Sequence, residues 1–231
     1  MQAIERIKER WRGQLIVSCQ AAEGEPLRGP IHMAAVARAA GMGGAAGVRA
    51  DGPQDVEAIR RVTDLPIVAS FKMSVPGSEV RVTPTFDAAR QVVAAGADVV
   101  GMDATARARP GDDDAAALIR RIQRELGAGV MADASALEEA IAAGDAGADF
   151  VTTALAGYTA YTSHVTCFSF ELLDAMVARI EAPVVAEGWV QTPGEAAEAI
   201  ARGAFAVVVG TAITRPQRIT ERFAQALRGV G

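Results

Sequence analysis

Eight times along the chain, a short run of apolar and β-branched residues ends at turn residues and gives way to an alanine-rich stretch. The runs are Gln14–Gln20, Ala46–Ala50, Pro66–Lys72, Asp98–Ala104, Gly129–Ala134, Phe150–Ala154, Pro183–Gly188 and Ala206–Ile213. Runs this apolar and this continuous suit strands buried on both faces, as in a parallel sheet, rather than half-exposed antiparallel ones. Between them, stretches such as Gly111–Leu126, Ala136–Ala146 and Gly194–Arg202 carry helical periodicity. Strands alternating with helices imply a parallel sheet with right-handed crossovers. A recurring junction supports this: AAGADVV (94–100), DAGADFV (145–151) and ARGAFAV (201–207) each join a helix end, a glycine and a strand entry. Glycine there suits a left-handed helix cap.

Eight such units leave nothing over for a second domain in 231 residues. The predicted fold class is therefore α/β, a (β/α)8 TIM barrel filling a single domain over residues 1–231. An open doubly wound sheet is the rival. It normally carries a glycine-rich fingerprint after its first strand, and Cys19-Gln20-Ala21-Ala22-Glu23-Gly24 does not match one. Aromatic residues make up only 5% of the chain, so its core must be built mainly from Ala, Val, Ile and Leu.

The remaining composition narrows the function classes. A formal net charge of −5 offers no global attraction for nucleic acid or an anionic membrane. Cys19 and Cys167 are too few for a disulfide framework, and with His32 and His164 they show no metal-ligand spacing, so no metal site is expected. The segment Met1–Arg12 is interrupted by charges and lacks the apolar stretch of a signal peptide. No later run reaches the ~18 apolar residues that cross a bilayer. A cytoplasmic protein is the expectation.

In a barrel, chemistry gathers where strands run into the loops after them. The sequence supplies a polar group at nearly every such place: Gln20, Arg49, Lys72, Asp103, Asp133, Thr152 and Thr153, Glu187, then Gly210 and Thr211. A charge ending an apolar run is costly to desolvate unless it is paired or functional. Lys72 has a flexible stem, and partial burial would lower its pKa towards useful proton transfer. Glu187 is either a counter-ion to Arg49 or the partner of Lys72 in an acid/base pair. Asp133 suits a hydrogen bond to substrate or to Lys72, or a cap for the helix beginning near Ala136. Gly210-Thr211-Ala212-Ile213-Thr214-Arg215-Pro216, with Gly188, suits the anion site that barrels build from their seventh and eighth loops. Cys19 is expected to be a packed thiol and His164 a surface residue. Asp112, Asp113 and Asp114 begin a helix, where carboxylates favour the dipole. Arg107 and Arg109 belong either to a solvated loop or to substrate contact.

These residues sit in segments that carry a wider resemblance: LIVSCQ (15–20), GVRADG (47–52), SEVRVTPT (78–85), MDATARARP (102–110) and MADAS (131–135). TTALAGYT (152–159), FELL (170–173), VAEGWVQTP (185–193) and VVVGTAITRP (207–216) continue it. In order and even spacing they resemble the bacterial N-acetylmannosamine-6-phosphate 2-epimerases of sialic acid catabolism. The resemblance implies a barrel of the ribulose-phosphate-binding type. It implies interconversion of N-acetylmannosamine 6-phosphate and N-acetylglucosamine 6-phosphate by proton transfer at C2, with no cofactor. It assigns Lys72 as acid/base and Glu187 as the carboxylate aiding proton transfer or ring handling. Gln20, Arg49, Asp133, Thr153 and Tyr158 would hold the sugar, and Gly188, Gly210, Thr211 and Arg215 the phosphate.

The chain departs from the family pattern in three places. Met73 and Ser74 follow Lys72 where a second basic residue is usual, Ala136 stands for a threonine, and Val151 stands for a glycine. The altered third loop keeps two alternatives open, a related phosphosugar isomerase and a non-catalytic phosphosugar-binding barrel. The expected partner is a phosphorylated amino sugar. Alanine-rich helices are compatible with a homodimer and equally with ordinary packing on the barrel.

Overall fold

The computed structural model describes residues 2–111 and 114–228. Helix α1 (Gln2–Trp11) leads into β1 (Leu15–Ser18), α2 (Pro30–Met42), β2 (Gly47–Asp51), α3 (Pro53–Arg60), β3 (Ile67–Ser70) and α4 (Phe86–Ala94). Then follow β4 (Val99–Asp103), α5 (Ala115–Leu126), β5 (Gly129–Asp133), α6 (Leu137–Asp145), β6 (Phe150–Thr152) and α7 (Phe170–Arg179). The chain continues through β7 (Val184–Glu187), α8 (Pro193–Ala201), β8 (Ala206–Val209), α9 (Thr211–Thr214) and α10 (Pro216–Arg228). The eight strands form a closed barrel in sequence order, every pair parallel, and β1 meets β8 with Ile16 opposite Val208. The (β/α)8 expectation holds.

The strands are shorter than the apolar runs. The largest difference lies at Ala206–Ile213: the strand stops at Val209, and Thr211–Thr214 turns into α9. The helix expected over Gly111–Leu126 begins at Ala115, with the Asp114 carboxylate accepting from Ala117 N at 2.7 Å. Asp112 and Asp113 lie outside the described residues. The repeated junction is explained by its backbone and its acid. Gly96, Gly147 and Gly203 all have positive φ (110°, 92° and 100°), the conformation that favours glycine. Asp98 accepts from Ile67 N at 2.8 Å, and Asp149 accepts from Val130 N at 2.9 Å, so each acid ties its strand entry to the preceding strand.

Alternation along the strands divides the apolar residues into two sets. Val17, Val48, Ile67, Val100, Val130, Val151 and Val207 face the helices. Ile16, Val68, Val99, Met131, Phe150, Val185 and Val208 fill the barrel's lower interior. Helix α1 closes that end. Trp11, fully buried, stacks obliquely on Phe150 with ring centroids 5.0 Å apart. A side chain at Gly47 would collide with the Trp11 ring, so glycine is required beneath the plug. Val151 belongs to the helix-facing set, so that departure lies away from the barrel's interior.

Candidate active site

The other end of the barrel is open. One pleat above the apolar plug, the inward positions become Ser18, Arg49, Ser70, Asp133 and Glu187, and a cavity of about 390 Å3 lies over most of them. Arg49, only 3% exposed, is its structural centre. Its NH1 donates to Asp133 Oδ1 at 3.0 Å and to Glu187 Oε2, and its NH2 donates to Asp133 Oδ2 at 2.5 Å and Ser70 Oγ at 3.1 Å. Thr152 Oγ1 adds a hydrogen bond to Asp133 at 3.2 Å. Arg49 thus spends its terminal N–H groups on protein acceptors. Burial alone would lower its pKa, but Asp133 and Glu187 together raise it.

Two carboxylates share this one cation, and Asp133 takes the two-pronged geometry. Glu187 is left with the weaker share of positive charge. Burial pushes its pKa up to about 7; the Arg49 charge opposes this and Asp133 reinforces it. Lys72 lies across the cavity, its Nζ donating to the buried Gln20 Oε1. It lines the cavity, and the residue as a whole is exposed there. Burial lowers its pKa, helped by Arg49 and opposed by Asp51, Glu187 and Asp133.

The sequence carries the Lys72 backbone there by continuing β3. Lys72 N donates to Asp51 Oδ1 at 2.8 Å, and the loop folds back so that Lys72 bridges Val82 in antiparallel fashion. Thr83, buried at φ 46°, clasps this turn by donating to Gly101 O at 2.6 Å and accepting from Phe71 N at 3.0 Å. Met73 and Ser74 line an adjoining cavity of about 600 Å3 that shares Lys72 with the central one. The charge expected there is therefore missing from the neighbouring space, not from the floor around Arg49.

Gln20, Arg49, Lys72, Asp133, Tyr158, Glu187, Gly188, Gly210, Thr211 and Arg215 all line the central cavity. Thr153 does not: it is buried, donating to Glu187 O at 2.7 Å and accepting from Glu187 N at 3.0 Å, so it fixes the end of β7. Asp133 binds neither Lys72 nor the α6 N-terminus. The cap at α6 is Glu139, whose Oε2 accepts from Ser135 N and Ala136 N at 2.8 and 3.1 Å, which explains how Ala136 is tolerated there. Asp103 is buried against Arg107 at 2.7 Å, and neither lines the cavity. Arg109 also turns inward, donating to Asp103 O. Cys19 is packed, its thiol pushed by burial up to about 12, and His164 is exposed.

Sequence reasoning passed over Trp189. At φ 60° it is one of two non-glycine residues with positive φ among the described residues, and it follows Gly188 at φ 84°. Its Nε1 donates to Ala156 O at 2.8 Å and its ring stacks on Tyr158 at 5.3 Å, forming an aromatic wall. Two successive residues in this rare conformation left no signal beyond the glycine itself. Among the described residues, no group of three or more His, Cys, Asp or Glu is placed to hold a metal, and no helix is long and apolar enough to cross a membrane.

Comparison with known proteins fits this geometry. A family model described as "Putative N-acetylmannosamine-6-phosphate epimerase" matches residues 33–229. Relatives described as 2-epimerases of the same sugar phosphate include one from Clostridioides difficile, 43% identical and covering 95% of this chain and 98% of its own length. Another, from Thermosynechococcus vestitus, is 45% identical over 94% of each chain. The solved structure of the N-acetylmannosamine-6-phosphate 2-epimerase from Clostridium perfringens superposes with a TM-score of 0.92 at 40% identity, covering 95% of this chain and 96% of that one. Matched along nearly its whole length in both sequence and fold, the chain belongs to the N-acetylmannosamine-6-phosphate epimerase family.

Proposed function

We propose that this single-domain barrel interconverts N-acetylmannosamine 6-phosphate and N-acetylglucosamine 6-phosphate by removing and returning the proton at C2. The observation that carries this is the cavity that sets the Lys72 amine and the Glu187 carboxyl over one space beside Arg49 and Asp133. The directions of their pKa shifts agree with it, the amine lowered and the carboxyl raised to about 7. Groups pushed towards neutrality from opposite directions make an acid/base pair.

In the open-chain sugar, C1 is an aldehyde and the C2 proton is acidic. Neutral Lys72 takes that proton, the C2–H electron pair moves into a C1–C2 double bond, and the carbonyl oxygen becomes the enolate oxygen. The resulting Lys72 ammonium stabilises that charge. The planar enolate accepts a proton on either face, which interchanges the two epimers. Glu187, partly protonated near neutral pH, supplies the second proton transfer. Gln20 aims Lys72, and Asp133, Tyr158 and the Trp189 wall hold the sugar. Arg49 works through Glu187 and Asp133: fully engaged by protein acceptors, it holds both carboxylates in the barrel mouth. Backbone N–H groups at Gly188, Gly210 and Thr211, with the Arg215 guanidinium, bind the phosphate and anchor the reacting end.

Incubating the protein with N-acetylmannosamine 6-phosphate in deuterated water tests this by NMR. Deuterium enters at C2 as the second epimer accumulates. Binding without exchange would instead make the chain a phosphosugar-binding barrel.

A homodimer and a cytoplasmic setting complete the proposal. Helix α10 has no buried residue, and Phe223 and Leu227, one turn apart, are 71% and 76% exposed. A second copy covering this stripe would remove it from water. Light scattering should give twice the monomer mass, and Phe223→Asp with Leu227→Asp should halve it. A substrate carrying a charged phosphate does not cross a bilayer unaided, which suits an enzyme of the cytoplasm.

A further inference from the structure

Arg215 reaches the central cavity from the junction of α9 and α10, and its backbone is restrained on both sides. Pro216 follows it and confines it to an extended conformation, observed at φ −117° and ψ 81°. Before it, the Thr214 hydroxyl contacts Ser18 O at 3.0 Å and Gly210 O at 3.1 Å. Backbone restraint alone leaves a long side chain free to swing. What fixes the guanidinium is Glu25, in the loop after β1. Glu25 Oε1 meets Arg215 Nε at 3.3 Å and accepts from Gln217 Nε2 at 3.1 Å, while Oε2 accepts from Ala22 N at 2.7 Å. One carboxylate thus ties the first loop, the α10 entry and the Arg215 side chain together. It faces the Nε side of Arg215 as an ion pair, and among the described residues the two terminal nitrogens have no hydrogen-bond acceptor.

We propose that Glu25 is a positioning residue that sets the Arg215 fork for the substrate's phosphate, an inference that rests on the phosphate assignment above. A guanidinium with its Nε side paired against a fixed carboxylate has less room to swing and presents its outer N–H groups as a pair for a tetrahedral anion. The competing effect has the opposite sign. A carboxylate near a phosphate dianion repels it, so if repulsion governed, removing Glu25 would tighten binding. Ordering of the fork prevails here because Glu25 is itself fixed by two donors, Ala22 N and Gln217 Nε2, and is already neutralised by the arginine cation.

Inorganic phosphate as a competitive inhibitor, and steady-state kinetics with N-acetylmannosamine 6-phosphate, test this on the full chain. Glu25→Ala should raise both the phosphate inhibition constant and KM by about tenfold, with kcat within about twofold of wild type. Glu25→Gln keeps an oxygen facing Nε and an amide that can still bond the Gln217 side chain, and should return both constants to within about threefold of wild type; it also serves if the alanine variant folds poorly. In an Arg215→Ala background, Glu25→Ala should add nothing, because the group it orients is gone. Unchanged or tighter phosphate binding in Glu25→Ala, a fall in kcat at constant KM, or additive effects with Arg215→Ala would each overturn the proposal. If Arg215→Ala itself leaves phosphate inhibition unchanged, the phosphate assignment falls and this inference falls with it. If Arg215→Ala weakens phosphate and Glu25→Ala does not, only the role of Glu25 fails.

Discussion

The lower and upper halves of the barrel interior are built by the same strands, one pleat apart. Below lie Ile16, Val68, Val99, Met131, Phe150, Val185 and Val208, sealed by Trp11. Above lie Ser18, Arg49, Asp133 and Glu187, open to a cavity, with Ser70 buried against Arg49. A two-residue step along a strand, about 7 Å, exchanges a dry plug for a cluster of charges satisfied mainly by one another. The plug gains from burial and needs no partner. The charged layer loses hydration on folding, and partnership only partly restores what is lost, which is why its pKa values move. Stability and chemistry are thus separated along the barrel axis, and each half should fail in its own way.

The largest effect belongs to the upper half. Lys72→Ala should lower C2 exchange by about 10²–10⁴-fold while leaving the melting temperature near wild type, measured by NMR exchange and thermal denaturation. Retained exchange would remove Lys72 as the base. Next comes the lower half. Trp11→Ala should cost about 3–5 kcal/mol of stability with KM and kcat unchanged at temperatures where the protein stays folded. If Trp11→Ala abolished activity while sparing stability, the axial separation would be wrong.

A smaller effect tests how the charged layer titrates. Glu187→Gln should lower kcat by about 10²-fold and reshape the pH profile. Wild-type activity should rise as Lys72 loses its proton and fall as Glu187 loses its own through about pH 7; the glutamine variant should lack that fall. Stability follows the same proton. Folded Glu187 holds it up to about pH 7, whereas the unfolded chain releases it near 4.5, so stability falls as pH rises between the two. Denaturant melts across that window should show the slope in wild type and not in Glu187→Gln.

Much of this was legible before folding was considered. Runs such as PIVASFK and PVVAEG place Lys72 and Glu187 at strand ends, because a charge after an apolar run marks where a buried strand meets solvent. The strand ends at Val209 and Thr152 were harder to place, since residues of short helices and loops beside a barrel mouth resemble a continuing strand. Thr153 illustrates another limit: its position was correct, but the hydroxyl turned to brace Glu187 rather than face the cavity. Trp189 was hidden because a left-handed backbone at a non-glycine residue is imposed by surrounding contacts.

The sequence by itself determined the eight β/α units, the small-residue core and the rim of polar groups. Each of these depends on neighbours a few residues apart and on contact with solvent. Only the tertiary structure decided who pairs with whom. Barrel closure brings Arg49 to Asp133 across 84 residues and to Glu187 across 138, and Lys72 to Gln20 across 52. Those pairings, not the residues alone, set the surroundings in which burial raises the Glu187 pKa, with Arg49 opposing the rise and Asp133 adding to it. Local pattern fixes where a charge emerges from a strand; closure of the sheet fixes the field it meets there.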